Sequence, residues 1–255
     1  MCAQDEKPEV RRKRTDEIAD AIKESIIVQK LQPGDRLPQE KDLIIQYSAG
    51  KSTVREALKA LEVQGLIRTR TGPGGGAFIE SMPEARAMTL LSNYLFAKNI
   101  GIRDIYALRR TLEPQAAVSA IGRIDEAGFR RLHELLAVYD PPPGDESEGA
   151  RWAQRMAELD FHGVVASYAE NELLAFYCRF LQRLLKELAV CKDIYLLPHP
   201  VARAQGIQWQ RQVIEAFREK NADEVYRITS EHMHHAEEAM LSLQATLNQH
   251  FLHDQ

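Results

Sequence analysis

The sequence predicts a mainly α-helical protein made of two parts, and two patterns support this prediction. Before residue 80, three short amphipathic segments precede two apolar runs that flank a glycine-rich tip at residues 72–76. From residue 83 onward, long amphipathic segments follow one another, separated by turn-forming residues. A chain of 255 residues is long enough for two domains of ordinary size. We therefore expect a small unit of three helices and a β-hairpin, followed by an all-α antiparallel bundle.

The first part is predicted to be a winged helix-turn-helix over residues 11–80, preceded by a disordered tail at residues 1–10. Its expected helices are TDEIADAIKESIIVQKL, QEKDLIIQYSAG and STVREALKALEVQG. Thr15 is a suitable N-cap for the first helix, and Gly65 is a stop signal for the third. The segment LQPGDRLP between the first two helices is read as a turn. The apolar runs around the glycine-rich tip predict the two strands of the wing.

The second part, residues 81–255, is predicted to be a helical bundle. Its pattern indicates helices near residues 84–98, 102–122, 125–139, 149–168, 171–192, 201–219 and 221–248.

Composition favours a soluble globular protein, with 44% apolar and 27% charged residues. Three cysteines without a CxxC pair indicate neither a disulfide framework nor a thiolate zinc site. The apolar runs fall short of the ~18 residues that span a bilayer. The charged N-terminus lacks the apolar core of a signal peptide. We expect a cytoplasmic protein with no membrane partner.

Positive charge is concentrated in the first part, although the whole chain carries a net charge of −4. Residues 1–80 hold 14 Lys/Arg against 13 Asp/Glu, whereas residues 81–255 hold 19 against 24. The basic residues of the first part cluster at Arg11–Arg14 and between residues 51 and 70. Localised positive charge on an acidic protein is typical of binding to one polyanion by one face.

The third predicted helix begins with Lys51, Ser52, Thr53 and Arg55 before it becomes apolar. Helix N-termini carry partial positive charge and unpaired N–H groups, so these side chains complete an anion site. DNA recognition helices use their first turn in this way. The alternative is that the basic residues only keep a surface soluble. A phosphate-binding P-loop is excluded, because GPGGG is followed by AFIE and not by Lys-Ser/Thr at a helix start.

The stretch LQPGDRLPQEKDLIIQYSAGKSTVREALKALEVQGLIRTRTGPGGGAF resembles the winged-helix DNA-binding domain of the GntR family. The stretch IYALRRTLEPQAAVSA resembles the start of the all-helical FCD effector domain found in the FadR-like subfamily. The resemblance implies a ligand-responsive transcriptional regulator, which we expect to be a repressor and a homodimer that reads a short inverted repeat in operator DNA. The DNA contacts that it implies are Lys41, Gly50, Lys51, Ser52, Thr53, Arg55, Thr71 and Gly72.

Two of these positions depart from the family pattern. Gly50 stands where a hydroxyl side chain is common, and Lys51 stands where an arginine is common. Lysine cannot form the planar bidentate bond to guanine that arginine forms. The operator is therefore expected to differ from the usual one, or to be read less strictly at that base.

A metal site is suggested by Glu158 and His162, which lie one helical turn apart, together with His232 from a later helix. The alternative is that both histidines line a pocket without a metal. The resemblance implies an FCD site of one acidic residue and three histidines, with glutamate here in place of the commoner aspartate. The remaining histidine position holds Gln210, a poor transition-metal ligand, so a divalent ion such as zinc is expected to bind more weakly. Asp160, His234 and His235 are expected to point away from the site.

Arg109 and Glu113 are four residues apart, a spacing most common in exposed helix bridges. The resemblance implies instead that Arg109 faces the ligand cavity and binds a carboxylate. Asn171 is read either as a pocket residue or as an N-cap. With Gln210, these residues form the expected binding site for a small organic acid.

Two other functions remain open at this point. One is a metal-dependent hydrolase that uses Glu158, His162 and His232, and the other is a nucleoid-type DNA-binding protein without an effector. The polar groups at Arg109 and at the histidines argue against the second.

Overall fold

The computed structural model describes residues 13–141 and 147–253, with side chains described as far as residue 245. The chain divides into two compact units, one ending at Leu90 and the other beginning at Leu91. The disordered tail predicted for residues 1–10 lies outside the described residues, as do Arg11 and Arg12.

The first unit is a winged helix-turn-helix, as predicted. Its elements are α1 (Arg14–Val28), α2 (Glu40–Gln46), α3 (Lys51–Val63), β1 (Ile67–Arg70) and β2 (Gly76–Ile79). The apolar face of α3 packs on α1 and α2. Ile22, Val54 and Leu61 are almost completely buried in this core. This packing leaves the other face of α3 open to solvent.

The wing is an antiparallel pair in which Ile67 lies opposite Ile79 and Arg70 lies opposite Gly76. The segment predicted only as a turn contributes to it as well. Arg36 forms an isolated antiparallel bridge with Phe78, and the Leu37 N–H donates to the carbonyl of Ala77 at 2.9 Å. The wing is thus tied to the chain before α2.

The expected N-cap of α1 is wrong. The helix begins at Arg14 with Lys13 in the N-cap position, and Thr15 lies inside the first turn. Its hydroxyl donates to the Glu56 carboxylate of α3 at 3.3 Å, so the side chain makes a tertiary contact and does not cap the helix. The stop signal at Gly65 is confirmed, because Gly65 takes a φ of +77° directly after α3.

The remaining helices extend from the end of the first unit through the second. They are α4 (Glu84–Phe96), α5 (Ile102–Ala120), α6 (Glu126–Tyr139), α7 (Glu148–Ser167), α8 (Glu172–Glu187), α9 (Ala189–Leu196), α10 (Pro200–Arg218) and α11 (Ala222–His253). Within the described part of the chain, no helix is both long and apolar enough to cross a bilayer.

One predicted helix, at residues 171–192, is in fact two. The break falls at Leu188, whose extended backbone (φ −63°, ψ 127°) ends α8 and starts α9. Neither glycine nor proline stands there, so local sequence carried no stop signal. The turn allows α9 to bury Cys191, Ile194 and Tyr195 in the bundle.

Helix α5 is central to the bundle, because it packs against α7, α8 and α11. Helix α10 packs against both α6 and α11. These contacts bring side chains from α5, α7, α10 and α11 together in the interior, where the polar residues of the candidate site lie.

Candidate functional site

The exposed N-terminus of α3 is the first candidate site. Gly50 is its N-cap, and no side chain bonds to the first-turn N–H groups. Lys51, Ser52 and Arg55 are exposed, and Thr53 is half-buried. Donors from the backbone and from these side chains are therefore available at one helix end, the arrangement that binds phosphate.

Arg55 is held in place by Glu40, the first residue of α2. The Arg55 Nε lies 3.0 and 2.9 Å from the two carboxylate oxygens of Glu40. The guanidinium remains largely exposed, so its terminal nitrogens are open to a further anion. Lys41, next to Glu40, is exposed as well. The contact therefore fixes the orientation of Arg55 in the free protein.

The tip of the wing is the third part of this surface. Thr71 and Gly72 are both exposed, and Gly72 adopts a φ of +90°, which favours glycine. The guanidinium carbon of Arg70 lies 4.8 Å from the centre of the Phe78 ring, which fixes a cation beside the tip.

A second candidate site lies inside the bundle, where the structure brings Glu158, His162 and His232 together. The Nε2 atoms of the two histidines are 3.3 Å apart, and the Glu158 Oε1 lies 3.4 Å from His162 and 3.7 Å from His232. Donor atoms bound to one tetrahedral zinc ion at 2.0–2.1 Å lie about 3.3 Å from each other. All three residues are buried. Their donor types and spacing therefore fit a divalent transition metal.

Glu113 orients one of these ligands. Its Oε2 accepts from the His162 Nδ1 at 2.7 Å, which directs the Nε2 of His162 toward His232 and Glu158. Carboxylates bonded to the second ring nitrogen are typical of metal-binding histidines. Glu113 in turn is held by Arg109, whose Nε lies 2.6 Å from its Oε1. Arg109 is 0% exposed, so the reading of this pair as a surface bridge is wrong.

The charges around the site follow from burial and pairing. Burial raises the pKa of Glu113, but Arg109 and His162 outweigh this effect and lower it to about 2. Burial also raises the pKa of Glu158, but the Arg155 guanidinium beside it brings the net value well below the usual range. Burial lowers the pKa of His232 to about 4. His232 is thus neutral near pH 7, and neutral imidazole is the form that binds metals.

Trp209 covers both imidazoles. Its ring centre lies 4.1 Å from that of His232 and 4.6 Å from that of His162, with interplanar angles of 9° and 11°. The two imidazoles are themselves within 10° of parallel. The indole therefore closes one face of the cluster.

Gln210 follows Trp209 on α10 and is 0% exposed. Within the described structure, neither its amide oxygen nor its amide nitrogen has a hydrogen-bond partner. An unpaired buried amide is costly, so a hydrogen-bonding group beside Gln210 would stabilise the protein.

Arg155 is a site residue that the sequence reading missed. Its Nη1 lies 2.8 Å from the Glu158 Oε2, and the side chain is buried. An arginine three residues before a candidate acidic ligand shares its helix face, and this spacing was the available signal. Nothing local indicated Trp209 or the second role of Glu113, since both act across helices.

The other predicted positions lie elsewhere. Asn171 is the exposed N-cap of α8, and its Oδ1 accepts from the N–H groups of Leu173 and Leu174. Asp160 contacts Lys186 of α8. His234 and His235 are both exposed, although His235 also lines a cavity next to Glu158 and His232.

Comparisons with known proteins identify the families of both parts of the chain. The model of the FCD domain matches residues 104–235, and that of the bacterial regulatory proteins of the gntR family matches residues 14–79. RmpR of Mycobacterium gastri is 31% identical over 153 residues, which cover 59% of this chain but only 55% of RmpR. The transcriptional repressor NanR of Cronobacter sakazakii is 24% identical over 236 residues, covering 89% of this chain and 85% of NanR.

A solved structure supports the fold. The GntR protein of Streptococcus agalactiae aligns with a TM-score of 0.55 at 21% identity, covering 88% of this chain and 99% of that one. None of these matches supports the hydrolase alternative. The FCD match alone covers more than half of the chain. The protein therefore belongs to the GntR family of bacterial regulatory proteins, with an FCD domain, and is a DNA-binding transcriptional regulator and not an enzyme.

Proposed function

We propose that this regulator is a repressor whose bundle senses a small organic acid through a bound divalent metal. The observation that carries the proposal is the buried Glu158, His162 and His232 cluster, whose donor atoms have the mutual distances of ligands on one ion. Three donor atoms that converge on one point, with Glu113 bonded to the other ring nitrogen of His162, are typical of a metal site and are not required for packing alone.

The metal, when bound, supplies a Lewis-acidic anchor for a carboxylate oxygen. The side chains of the protein orient the ligands and shield the site. Glu113 holds the tautomer of His162, and Trp209 excludes water from one face. Gln210, whose buried amide has no partner within the described residues, is our candidate to bond an effector or the ion. Arg109, a buried cation bonded to Glu113, is the remaining residue of the set inferred from the family, whereas Asn171 caps α8 at the surface.

On the DNA side, we assign operator contacts to the first turn of α3, to Lys41 and to the wing tip at Thr71 and Gly72. One winged helix covers one half-site, so a homodimer reads an inverted repeat. Exposed apolar side chains on α4, Tyr94 at 63% and Phe96 at 92%, support pairing near that helix. The name of NanR as a repressor supports repression here. The acid acts by binding the two DNA-affinity states unequally.

Elemental analysis of protein purified without chelator tests the metal. We expect bound divalent metal in the wild type and its loss in His162→Ala. Gln210→His should retain more metal, because an imidazole replaces a weak neutral ligand. His234→Ala, which removes an exposed histidine, is the matched control and should match the wild type. If neither the wild type nor Gln210→His contains metal, the metal-dependent part of the proposal fails.

A further inference from the structure

A small cavity lies beside the Glu158, His162 and His232 cluster, between α7, α9, α10 and α11. Its walls include Glu158 and His232 from the cluster, together with Arg155, Tyr195 and His199. Its volume is ≈ 30 Å³, more than the ~10–15 Å³ that one water molecule needs. Among the described residues that line it, Arg155 is the sole arginine or lysine. The cavity is therefore lined by one permanently charged side chain, Arg155, next to two of the proposed metal ligands.

Arg155 is buried but incompletely bonded. Its Nη1 pairs with Glu158 at 2.8 Å, its Nη2 lies 3.4 Å from the Tyr106 hydroxyl, and its guanidinium stacks 4.8 Å from the Tyr195 ring centre. No acceptor for its Nε exists within the described residues. A guanidinium donor buried without an acceptor costs free energy that an incoming anion can recover.

Arg109 differs from Arg155 in its hydrogen bonding and in its distance from this cavity. Its Nε and Nη2 both donate to Glu113, and it does not line the cavity described above. Its Nη1 also lacks an acceptor, but that atom belongs to a residue with no exposed surface. The arginine expected from the family to bind the effector is therefore already committed to Glu113.

Charge balance links Arg155 to the ion. The buried charges of the site are two arginines, Arg109 and Arg155, and two carboxylates, Glu113 and Glu158. These cancel, so a divalent ion adds two uncompensated positive charges in a buried place. Glu158 faces the histidines with Oε1 and Arg155 with Oε2. An ion that draws on Glu158 leaves Arg155 with less compensation.

We propose that Arg155 is the anion anchor of this cavity and that it couples metal binding to acid binding. A carboxylate of a small acid bonds to the Arg155 guanidinium and offsets one of the two positive charges that the ion adds. This inference rests on the metal site of the proposed function. It makes the acid and the metal mutually stabilising, because coupling between two ligands is reciprocal.

The test measures zinc affinity by competition with a chromogenic chelator, with sodium acetate as the acid probe and sodium chloride at equal ionic strength as its control. Acetate should raise the zinc affinity of the wild type about tenfold. In Arg155→Met the increase should disappear, whereas zinc affinity without acetate should equal or exceed that of the wild type. The reason is that this substitution removes the guanidinium that competes with zinc for Glu158. Arg110→Met, which removes a half-exposed cation from α5, is the control and should keep the increase.

An acetate effect of equal size in Arg155→Met and wild type would overturn the proposal, and so would its absence from the wild type. If Arg155→Met does not fold, Arg155→Lys preserves the charge beside Glu158 but cannot form two parallel bonds, so it should lose most of the increase. A full increase in that variant also overturns the proposal.

If the wild type binds no zinc, the metal-dependent proposal fails on its own. The melting temperature of metal-free protein then decides about Arg155. A rise with acetate that Arg155→Met abolishes supports the anchor, and no rise refutes it.

Discussion

Glu113 shows how one buried side chain serves two partners. It accepts from the Arg109 Nε at 2.6 Å and from the His162 Nδ1 at 2.7 Å. The i,i+4 spacing with Arg109 was visible in the sequence, but the contact with His162 joins α5 to α7. Burial made the pair part of the site, since an exposed pair of this kind contributes little.

At the scale of single residues, Lys51 and Arg55 are predicted to be needed for DNA binding. Replacing either with alanine should abolish specific operator binding, because phosphate or base contacts at the first turn of α3 are lost. Each lost phosphate contact should also reduce the slope of log affinity against log salt by about 1. Fluorescence anisotropy over a salt series measures both effects.

Arg131→Ala is the matched control, since it removes an exposed cation from the helical unit without touching α3. Circular dichroism should show the same helical content in all variants. Operator binding as tight as wild type in Lys51→Ala and Arg55→Ala would show that the recognition-helix assignment is wrong.

At the scale of elements, the end of α3 depends on Gly65. A Cβ built on Gly65 would lie 2.9 Å from the Met82 Cε and 3.3 Å from the Arg86 Nη1. Arg86 bonds through its Nη2 to the carbonyl of Val63 at 2.7 Å, which satisfies the C-terminus of α3. The glycine thus allows both the left-handed backbone and the approach of Arg86.

Gly65→Ala should therefore destabilise the first unit by about 1 kcal/mol or more, because a positive φ strains any side chain. Scanning calorimetry of the full chain should show a lower melting temperature for that unit, by roughly 4–8 °C per kcal/mol. Gly50→Ala is the control, since its φ is −68° and the nearest atom to the added Cβ is the Thr53 Oγ1 at 3.9 Å. Equal stability of the two variants would contradict the role of Gly65.

At the scale of the whole molecule, the two parts of the chain differ in net charge. Residues 1–80 carry a slight excess of basic side chains, whereas residues 81–255 carry an excess of acidic ones. The net charge of −4 disfavours general binding to nucleic acid, so we expect DNA contact to be confined to the basic surface of the first unit. One winged helix reads a single half-site, and a pair of them reads a longer and therefore more specific sequence.

We expect a homodimer, and sedimentation should show it with and without DNA. Phe96→Glu, which places a charge on an exposed apolar surface of α4, should shift the distribution toward monomer and weaken binding to an inverted repeat more than to a single half-site. Val201→Glu, at a residue that is also apolar and 71% exposed, is the control. A wild type that is strictly monomeric in both conditions would refute the prediction.

The sequence by itself determined the class of fold and the local part of each site. Amphipathic spacing located the helices, the glycine-rich tip located the wing, and the helical turn between Glu158 and His162 placed two donors on one face. These features depend on neighbours within a few residues along the chain, and the geometry of a helix or a hairpin fixes them.

Only the tertiary structure decided which residues surround those donors. His232 comes from α11, Trp209 from α10 and Glu113 from α5, and their contacts depend on how the helices pack. Burial turned Arg109 from a surface pair into part of the interior, and it left Arg155 as the cation that lines the cavity. The break at Leu188 has the same origin, because packing of α9 and not a local stop signal ends α8. Helical periodicity states which face is apolar, but the partner of that face is set by close packing of the whole bundle.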